Sequence, residues 1–176
     1  QTWTAMEALV DAKLVHSIGI SNVNNQKLVD ILTYARIPPA MNQVELHPYN
    51  DQPNLVEFQQ GEGVALTAYS PFGSGRTGVL DDKVVADIAT KHHKSNAQVL
   101  IRYQIQRGIA VVPKSVNPDR IADNFKVWDF TLSEEDMARL AALDQQLRAL
   151  QTKFFFKMNI YAYLEVTIKR YGGRWL

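Results

Sequence analysis

The feature that most constrains this chain is a repeated alternation of short β-forming runs with longer helical patterns. The runs rich in β-forming residues are residues 17–20, 40–46, 64–69 and 109–112. Apolar residues at helical spacing predict helices at roughly 25–35, 53–61, 81–92, 95–106, 118–124 and 133–148. Strands that alternate with helices in this way are typical of βα units joined in a parallel sheet. We therefore predict an α/β fold.

Local capping chemistry supports several of these helix boundaries. Ser95 is followed three residues later by Gln98, which is the spacing of a capping box, and Ser133 with Asp136 is a shorter variant of the same box. Asn117 precedes a proline, which suits an N-cap and first helical position. A helix is thus expected directly after the strand end at 112–115, with its free amides facing whatever binds there.

Charge and composition exclude several classes of partner. Nineteen Lys and Arg balance eighteen Asp and Glu, so the net charge of +1 gives no field that would attract nucleic acid or an anionic membrane. The chain has no cysteine, which removes disulfide frameworks and thiol nucleophiles. No apolar run approaches a membrane span, and the first residues do not resemble a signal sequence, so we expect a cytoplasmic protein with a small-molecule partner.

The beginning of the chain carries a separate expectation. It opens on Gln1 inside an apparent helix, with Thr2 or Thr4 as the cap. We therefore expect it to be the later part of a longer protein.

The stretch from Gly73 to Gly78 spells G-x-G-x-x-G, the pattern with which dinucleotide-binding folds hold a pyrophosphate. That fingerprint requires a helix opening directly from the glycines and an acidic residue about 20 positions later. Here the next helix is predicted only from about residue 81, and position 98 is Gln. The pattern alone therefore predicts a loop rather than a Rossmann fingerprint.

Longer segments around this loop carry a more specific signal. They are HSIGISN at 16–22, NQVELHPY at 42–49, TAYSP at 67–71, AQVLIR at 97–102 and VPKSVNPDRIADNF at 112–125. In this order and spacing they resemble the aldo-keto reductase family over residues 2–147. The resemblance implies a (β/α)8 TIM barrel of which this chain holds only the last four βα units. Residues 1–148 would be the C-terminal half of the barrel, and residues 149–176 a divergent tail.

The resemblance also implies an NADP(H)-dependent enzyme that transfers hydride between the nicotinamide and the carbonyl of a small aldehyde or ketone. By that resemblance Ser21, Asn22 and Gln43 hydrogen-bond the nicotinamide carboxamide, and the ring of Tyr69 stacks on the nicotinamide. Contacts to the pyrophosphate fall on Ser70, Phe72, Gly73 and Ser74, where small residues allow close approach.

The segment after the last predicted strand suits a second phosphate. Lys114 and Arg120 flank a helix N-terminus, a combination that favours the 2′-phosphate of NADP(H) over NAD(H). Asp123 stands where the family commonly has Glu, next to Asn124. The further cofactor-binding residues predicted in this segment are Ser115, Val116, Asn117, Asp123 and Asn124.

No catalytic and no metal-binding residue is assigned in this chain. The family's catalytic Asp, Tyr, Lys and His lie in the first half of its barrel and have no counterpart here, so we expect the chain alone to be inactive. His92 and His93 are adjacent and His47 belongs to a His-Pro turn, which does not favour a metal site. Four parallel strands leave open edges, so the missing N-terminal half-barrel or another chain is expected to close the sheet.

The tail and the function each leave alternatives open. Ile160, Ala162, Leu164, Val166 and Ile168 alternate with polar residues, which predicts a strand after the aromatic run 154–156. A substrate-lining tail, a dimer strand and an unrelated extension all fit this pattern. For the whole protein, the alternatives to a reductase are a nucleotide-sensing subunit without turnover and a structural, lens-crystallin-like protein.

Overall fold

A four-stranded parallel sheet forms the centre of the protein. The structure is a computed structural model, and it describes residues 1–150 and 166–168. The strands of this sheet, in spatial order, are β2 (Ile20–Ser21), β3 (Met41–Glu45), β4 (Ala65–Tyr69) and β5 (Ala110–Val112). All three pairings are parallel. The predicted parallel α/β sheet is therefore confirmed.

Seven α-helices accompany the sheet in the described part of the chain, together with 3-10 helices at Gly73–Gly75 and Val79–Asp81. The α-helices are α1 (Thr2–Asp11), α2 (Asn25–Tyr34), α3 (Pro53–Gly61), α4 (Lys83–His92), α5 (Asn96–Gln106), α6 (Pro118–Phe125) and α7 (Glu134–Ala141). One face of the sheet packs on helices, because Val44, Leu66 and Ala68 join a buried cluster with Val56 of α3. Strand residues of the opposite parity, including Gln43 and Tyr69, therefore lie on the other face.

Most of the predicted helix caps are present in the structure. Ser95 and Gln98 form a complete capping box, and so do Ser133 and Asp136. The predicted cap at Thr2 or Thr4 is wrong, because α1 already includes Thr2 and begins after Gln1 without a side-chain cap.

Two predicted boundaries are also wrong. The helix expected to reach residue 148 ends at Ala141, because the following backbone turns back to the strand ends, with Gln146 at a positive φ of 54°. The run at 17–20 divides into β1 (Val15–Ile18) and β2 at Gly19. A Cβ atom there would lie 2.8 Å from the carbonyl oxygen of Met41, so only glycine permits this close approach.

The tail is described only in part. Strand β6 (Val166–Ile168) pairs antiparallel with β1, in a second, two-stranded sheet. The remainder of the predicted strand and the aromatic run 154–156 lie outside the described residues. None of the helices in the described part of the chain is long and apolar enough to cross a membrane.

Candidate functional site

The polar residues predicted at the ends of β2, β3 and β4 form one hydrogen-bonded network. Ser21 pairs in register with Gln43, and its hydroxyl donates to the Gln43 carbonyl over 2.8 Å. The side-chain amide of Asn22 donates to the Ser21 hydroxyl over 3.1 Å, and its backbone amide donates to the same Gln43 carbonyl over 2.9 Å. The hydroxyl of Tyr69 completes the network by donating to the Asn22 side-chain oxygen over 2.9 Å. We call these four residues the rim network.

The electrostatics of Tyr69 keep its ring neutral. Burial and the nearby carboxylate of Glu45, against an opposing effect of Arg148, together raise the pKa of Tyr69 to about 12. The phenol therefore stays protonated near neutral pH and remains a hydrogen-bond donor to Asn22. Its ring presents a flat, uncharged surface at the end of β4.

The predicted glycine loop is a tight turn directly after β4. The amide of Gly73 donates to the carbonyl of Ser70 over 2.9 Å, and the hydroxyl of Ser74 donates to that of Ser70 over 2.8 Å. Gly73 has a φ of +63°, and a Cβ atom there would come within 1.8 Å of the hydroxyl oxygen of Thr77. One 3-10 turn spans Gly73–Gly75 and a second follows at Val79–Asp81, but the next α-helix, α4, begins only at Lys83, so no long helix opens at these glycines.

One predicted residue of this loop points elsewhere. The half-buried Phe72 packs against the apolar cluster between α4 and α5. Its side chain therefore anchors the loop to the helices, which leaves its backbone as the part available to a ligand.

The segment after β5 lies next to the rim network. Tyr69 pairs in register with Val112, two residues before Lys114. The side chain of Asn117 caps α6 by accepting from the Arg120 amide over 3.0 Å, and the Ser115 hydroxyl accepts from the Asn117 amide over 3.2 Å. We call residues 113–120 the basic segment.

The two cations of the basic segment are exposed. Among the described residues, neither the ammonium of Lys114 nor the guanidinium of Arg120 forms an ion pair. Val116, also predicted in this segment, is 84% exposed. Exposed cations beside a capped helix N-terminus are a suitable environment for an anion.

The residues predicted at the end of α6 are held differently. The carboxylate of Asp123 forms a 2.8 Å ion pair with Lys126, and its backbone carbonyl accepts from the Gln98 side chain over 3.1 Å. Asn124 is half-buried beside it. Asp123 therefore already has a cationic partner, and a ligand would have to share it.

Sequence reasoning missed a buried acidic residue at this edge. Glu45, at the end of β3, is 2% exposed, and its carboxylate accepts from the His47 ring over 2.9 Å and from the amides of Ala149 and Leu150 over 2.5 and 3.1 Å. Burial raises the pKa of Glu45, but these hydrogen bonds outweigh burial, so its pKa lies below the ordinary value. The available signal was its position two residues after Gln43, which places it on the same strand face.

The described residues of this edge do not form a metal-binding site. In the part of the chain that the structure describes, no three His, Asp or Glu side chains lie close enough together to hold an ion. His92, predicted not to be a ligand, donates from its ring Nε2 to the carboxylate of Asp136 over 2.8 Å and so joins α4 to α7.

Comparison with known proteins agrees with the motifs and the sheet. The sequence model of the "Aldo/keto reductase family" matches residues 1–145. The chain belongs to this family. Aldose reductase B of Dictyostelium discoideum is 49% identical over 161 residues, covering 92% of this chain and 52% of that protein. A probable NAD(P)H-dependent D-xylose reductase of Aspergillus terreus is 48% identical over 160 residues, covering 84% of this chain and 50% of that protein.

Solved structures show the same relationship. The aldose reductase from Schistosoma japonicum superposes with a TM-score of 0.85 at 42% identity, over 92% of this chain and 52% of that one. An aldo-keto reductase enzyme from a Medee basin deep-sea metagenome library gives a TM-score of 0.83 at 38% identity, over 85% and 56% of the two chains. The chain thus spans about half the length of the relatives it matches.

Proposed function

We propose that this chain is the cofactor-binding half of an NADP(H)-dependent aldo-keto reductase whose substrates are small aldehydes or ketones. It would supply the last four βα units of a (β/α)8 barrel, and residues 1–148 would form this half. The observation that carries the proposal is the rim network, because four residues from three strands converge by direct hydrogen bonds at the edge where such barrels bind ligands.

The rim network has the chemistry of an amide-recognition site. A carboxamide carries both donors and acceptors, and the side chains of Asn22 and Gln43 offer both kinds of group. The proposed role of Tyr69 is to hold a nicotinamide ring by stacking, and a neutral ring suits that role in both redox states of the cofactor.

The glycine loop and the basic segment would hold the phosphates. Backbone amides and hydroxyls of Ser70, Gly73 and Ser74 suit the pyrophosphate, since Gly73 keeps side-chain atoms away from the turn. Lys114 and Arg120 suit the 2′-phosphate that distinguishes NADP(H) from NAD(H), and Asn124 with Asp123 would lie toward the adenine. The related xylose reductases are named for dependence on NAD(P)H, so the preference for NADP(H) rests on these two cations.

When bound, NADPH supplies a hydride to the carbonyl carbon of the substrate. The residues of this chain fix the cofactor's orientation, and their own hydrogen bonds limit how far the rim can rearrange. No proton donor to the carbonyl oxygen is proposed in this chain. We therefore propose that turnover requires the N-terminal half-barrel or another chain to close the sheet.

The proposal is tested by titrating the 176-residue chain with NADPH and, separately, NADH, following nucleotide fluorescence. We expect NADPH to bind more tightly, and the K114M variant to lose about tenfold to a hundredfold in NADPH affinity, the range for a hydrogen bond to a charged group. Lys83→Met is the matched control, because Lys83 is an exposed lysine that forms an ion pair with Asp87 of its own helix.

Each outcome separates the candidate functions. Equal affinity for the two nucleotides contradicts the assignment of NADP(H), and equal losses in K114M and K83M contradict the role of Lys114. NADPH binding without aldehyde reduction, after the chain is completed with the N-terminal half of a relative, supports a nucleotide sensor. Neither binding nor reduction supports a structural, crystallin-like role.

A further inference from the structure

The segment after α7 crosses the carboxyl edge of the sheet and is fixed there by several elements. We call residues 144–150 the strap. The carbonyl of Tyr49 accepts from the amides of Gln145 and Leu147 over 3.2 and 2.8 Å. Arg148 donates to the side-chain oxygen of Gln52 over 3.1 Å. The strap therefore lies against the loop that joins β3 to α3.

At its far end the strap reaches the site described above. Both oxygens of the Glu45 carboxylate accept strap amides, those of Ala149 and Leu150. The carbonyl of Ala149 accepts from Arg76 of the glycine loop over 3.5 Å. Ala149 is thus held between the end of β3 on one side and the glycine loop on the other.

The anchor requires a group that only accepts hydrogen bonds. The carboxylate faces the amide N–H groups of Ala149 and Leu150 and a ring nitrogen of His47. Among the described residues the other ring nitrogen of His47 has no partner, which favours the tautomer with its proton on Nε2, donating to Glu45. A glutamine in place of Glu45 would turn one NH2 group toward these donors.

We propose that Glu45 is a positioning residue that fixes the strap beside Tyr69 and the glycine loop, and so sets one wall of the ligand site at this edge. The inference rests on the proposed function only for the identity of the ligand that this site binds. The anchor itself follows from the hydrogen bonds of Glu45.

Trypsin gives a direct readout, because the bond between Arg148 and Ala149 lies inside the anchored strap. In the full 176-residue chain, E45Q should accelerate appearance of the 1–148 product, measured by intact mass, by about tenfold or more. Cleavage after Arg102, within α5, reports global unfolding. The matched control is D136N, which alters another fully buried carboxylate, one that is bonded to Lys91, His92 and Ser133 rather than to the strap.

We expect cleavage after Arg148 to become faster in E45Q but not in D136N. Cleavage after Arg102 should stay constant. An unchanged rate after Arg148 overturns the proposal. A uniform rise at both bonds in E45Q also overturns it, because the carboxylate would then stabilise the whole fold rather than the strap.

A pH profile separates positioning from a general structural role. The ionisable groups that act on or feel this carboxylate are His47 and Tyr69; beyond them, Asp51 acts with His47 and Arg148 acts with Tyr69. Because the pKa of Glu45 is lowered on folding, its anchoring is complete above the ordinary value of 4.5 and is lost as pH falls through the folded value. Amide hydrogen exchange at Ala149 and Leu150 should lose protection at that acid limit in the wild type. In E45Q, protection should be low at every pH. If the protection of Ala149 and Leu150 varies with pH in the same way in E45Q and in the wild type, the inference is contradicted.

The NADPH titration keeps the two proposals distinguishable. A strap freed in E45Q, combined with no NADPH binding by the wild type, overturns the proposed function and leaves the anchor in place. If the wild type binds NADPH and cleavage after Arg148 is unchanged in E45Q, the proposed function is kept and the anchor is overturned.

Discussion

The rim network and the edge formed by β5 and α6 carry motifs of similar length. Contacts within the chain bury and bond the rim, whereas they leave the edge exposed. At the rim, Ser21, Asn22 and Tyr69 bond to one another, and Glu45 beside them is almost fully buried. At the edge, Phe125 of α6 is 75% exposed. In the described part of the chain, α6 has no buried residue.

This difference shows which half of the site is already organised. Strands of a parallel sheet are normally covered on both faces, yet Ala110 and Val112 of β5 are exposed and Val111 between them is only half-buried. Ile121, Phe125 and Trp128, which follow this strand in the chain, add exposed apolar surface. The rim is therefore held by contacts within the chain, whereas the edge keeps apolar side chains exposed.

The largest effect is expected at the centre of the sheet. Leu66 of β4 is 1% exposed and packs with Val44 and Ile109, so Leu66→Ala should lower the free energy of unfolding by about 2–5 kcal/mol. Urea denaturation followed by circular dichroism measures this loss. A loss below 1 kcal/mol, as an order-of-magnitude limit for surface positions, would mean that the centre is no better packed than the edge.

An intermediate effect is expected at the rim. Tyr69→Phe removes the hydrogen bond to Asn22, and the free energy of unfolding should fall by about 0.5–1.5 kcal/mol. Because the pKa of Tyr69 is raised to about 12, its phenol is protonated throughout the neutral range and the loss should not vary there with pH. Tyr34→Phe, at an exposed tyrosine, is the control and should leave stability unchanged.

The smallest effect is expected at the edge. Phe125→Ala should change the free energy of unfolding by less than about 0.5 kcal/mol, because the ring is mostly in solvent. A loss comparable to that of Leu66→Ala would contradict the comparison and show that another surface covers α6 in solution. Repeating the measurement over a range of protein concentrations distinguishes a second copy, whose contribution depends on concentration, from a contact within the chain.

Sequence reasoning succeeded where the determining contacts are local or follow from strand order. The capping boxes at Ser95 and Ser133 depend on residues three positions apart. The meeting of Ser21, Gln43 and Tyr69 follows because parallel strands end at one edge, although the assignment of these residues to a cofactor stays a prediction. The strand and helix order could therefore be predicted, with boundaries that shift by a few residues.

Sequence reasoning failed where a distant contact competes with a local pattern. Helical spacing continues past Ala141, but the amides of residues 145 and 147 donate instead to Tyr49, and those of residues 149 and 150 to Glu45. The capping pattern cannot reveal an acceptor that lies about a hundred residues earlier in the chain. The buried amide pair of Asn42 and Gln59, joined over 2.8 Å, was missed for the same reason.

The bond between Glu45 and the amide of Ala149 joins residues 104 positions apart, which has a consequence during synthesis. At a translation rate of about 5–20 residues per second, the ribosome adds the second partner roughly 5–20 s after the first. The β3–β4 pair can form well within that interval, since its partners, such as Glu45 and Tyr69, are close in the chain. The nascent sheet would therefore present an uncapped carboxylate at its edge until residues 149 and 150 emerge, and the edge of the site would be completed late.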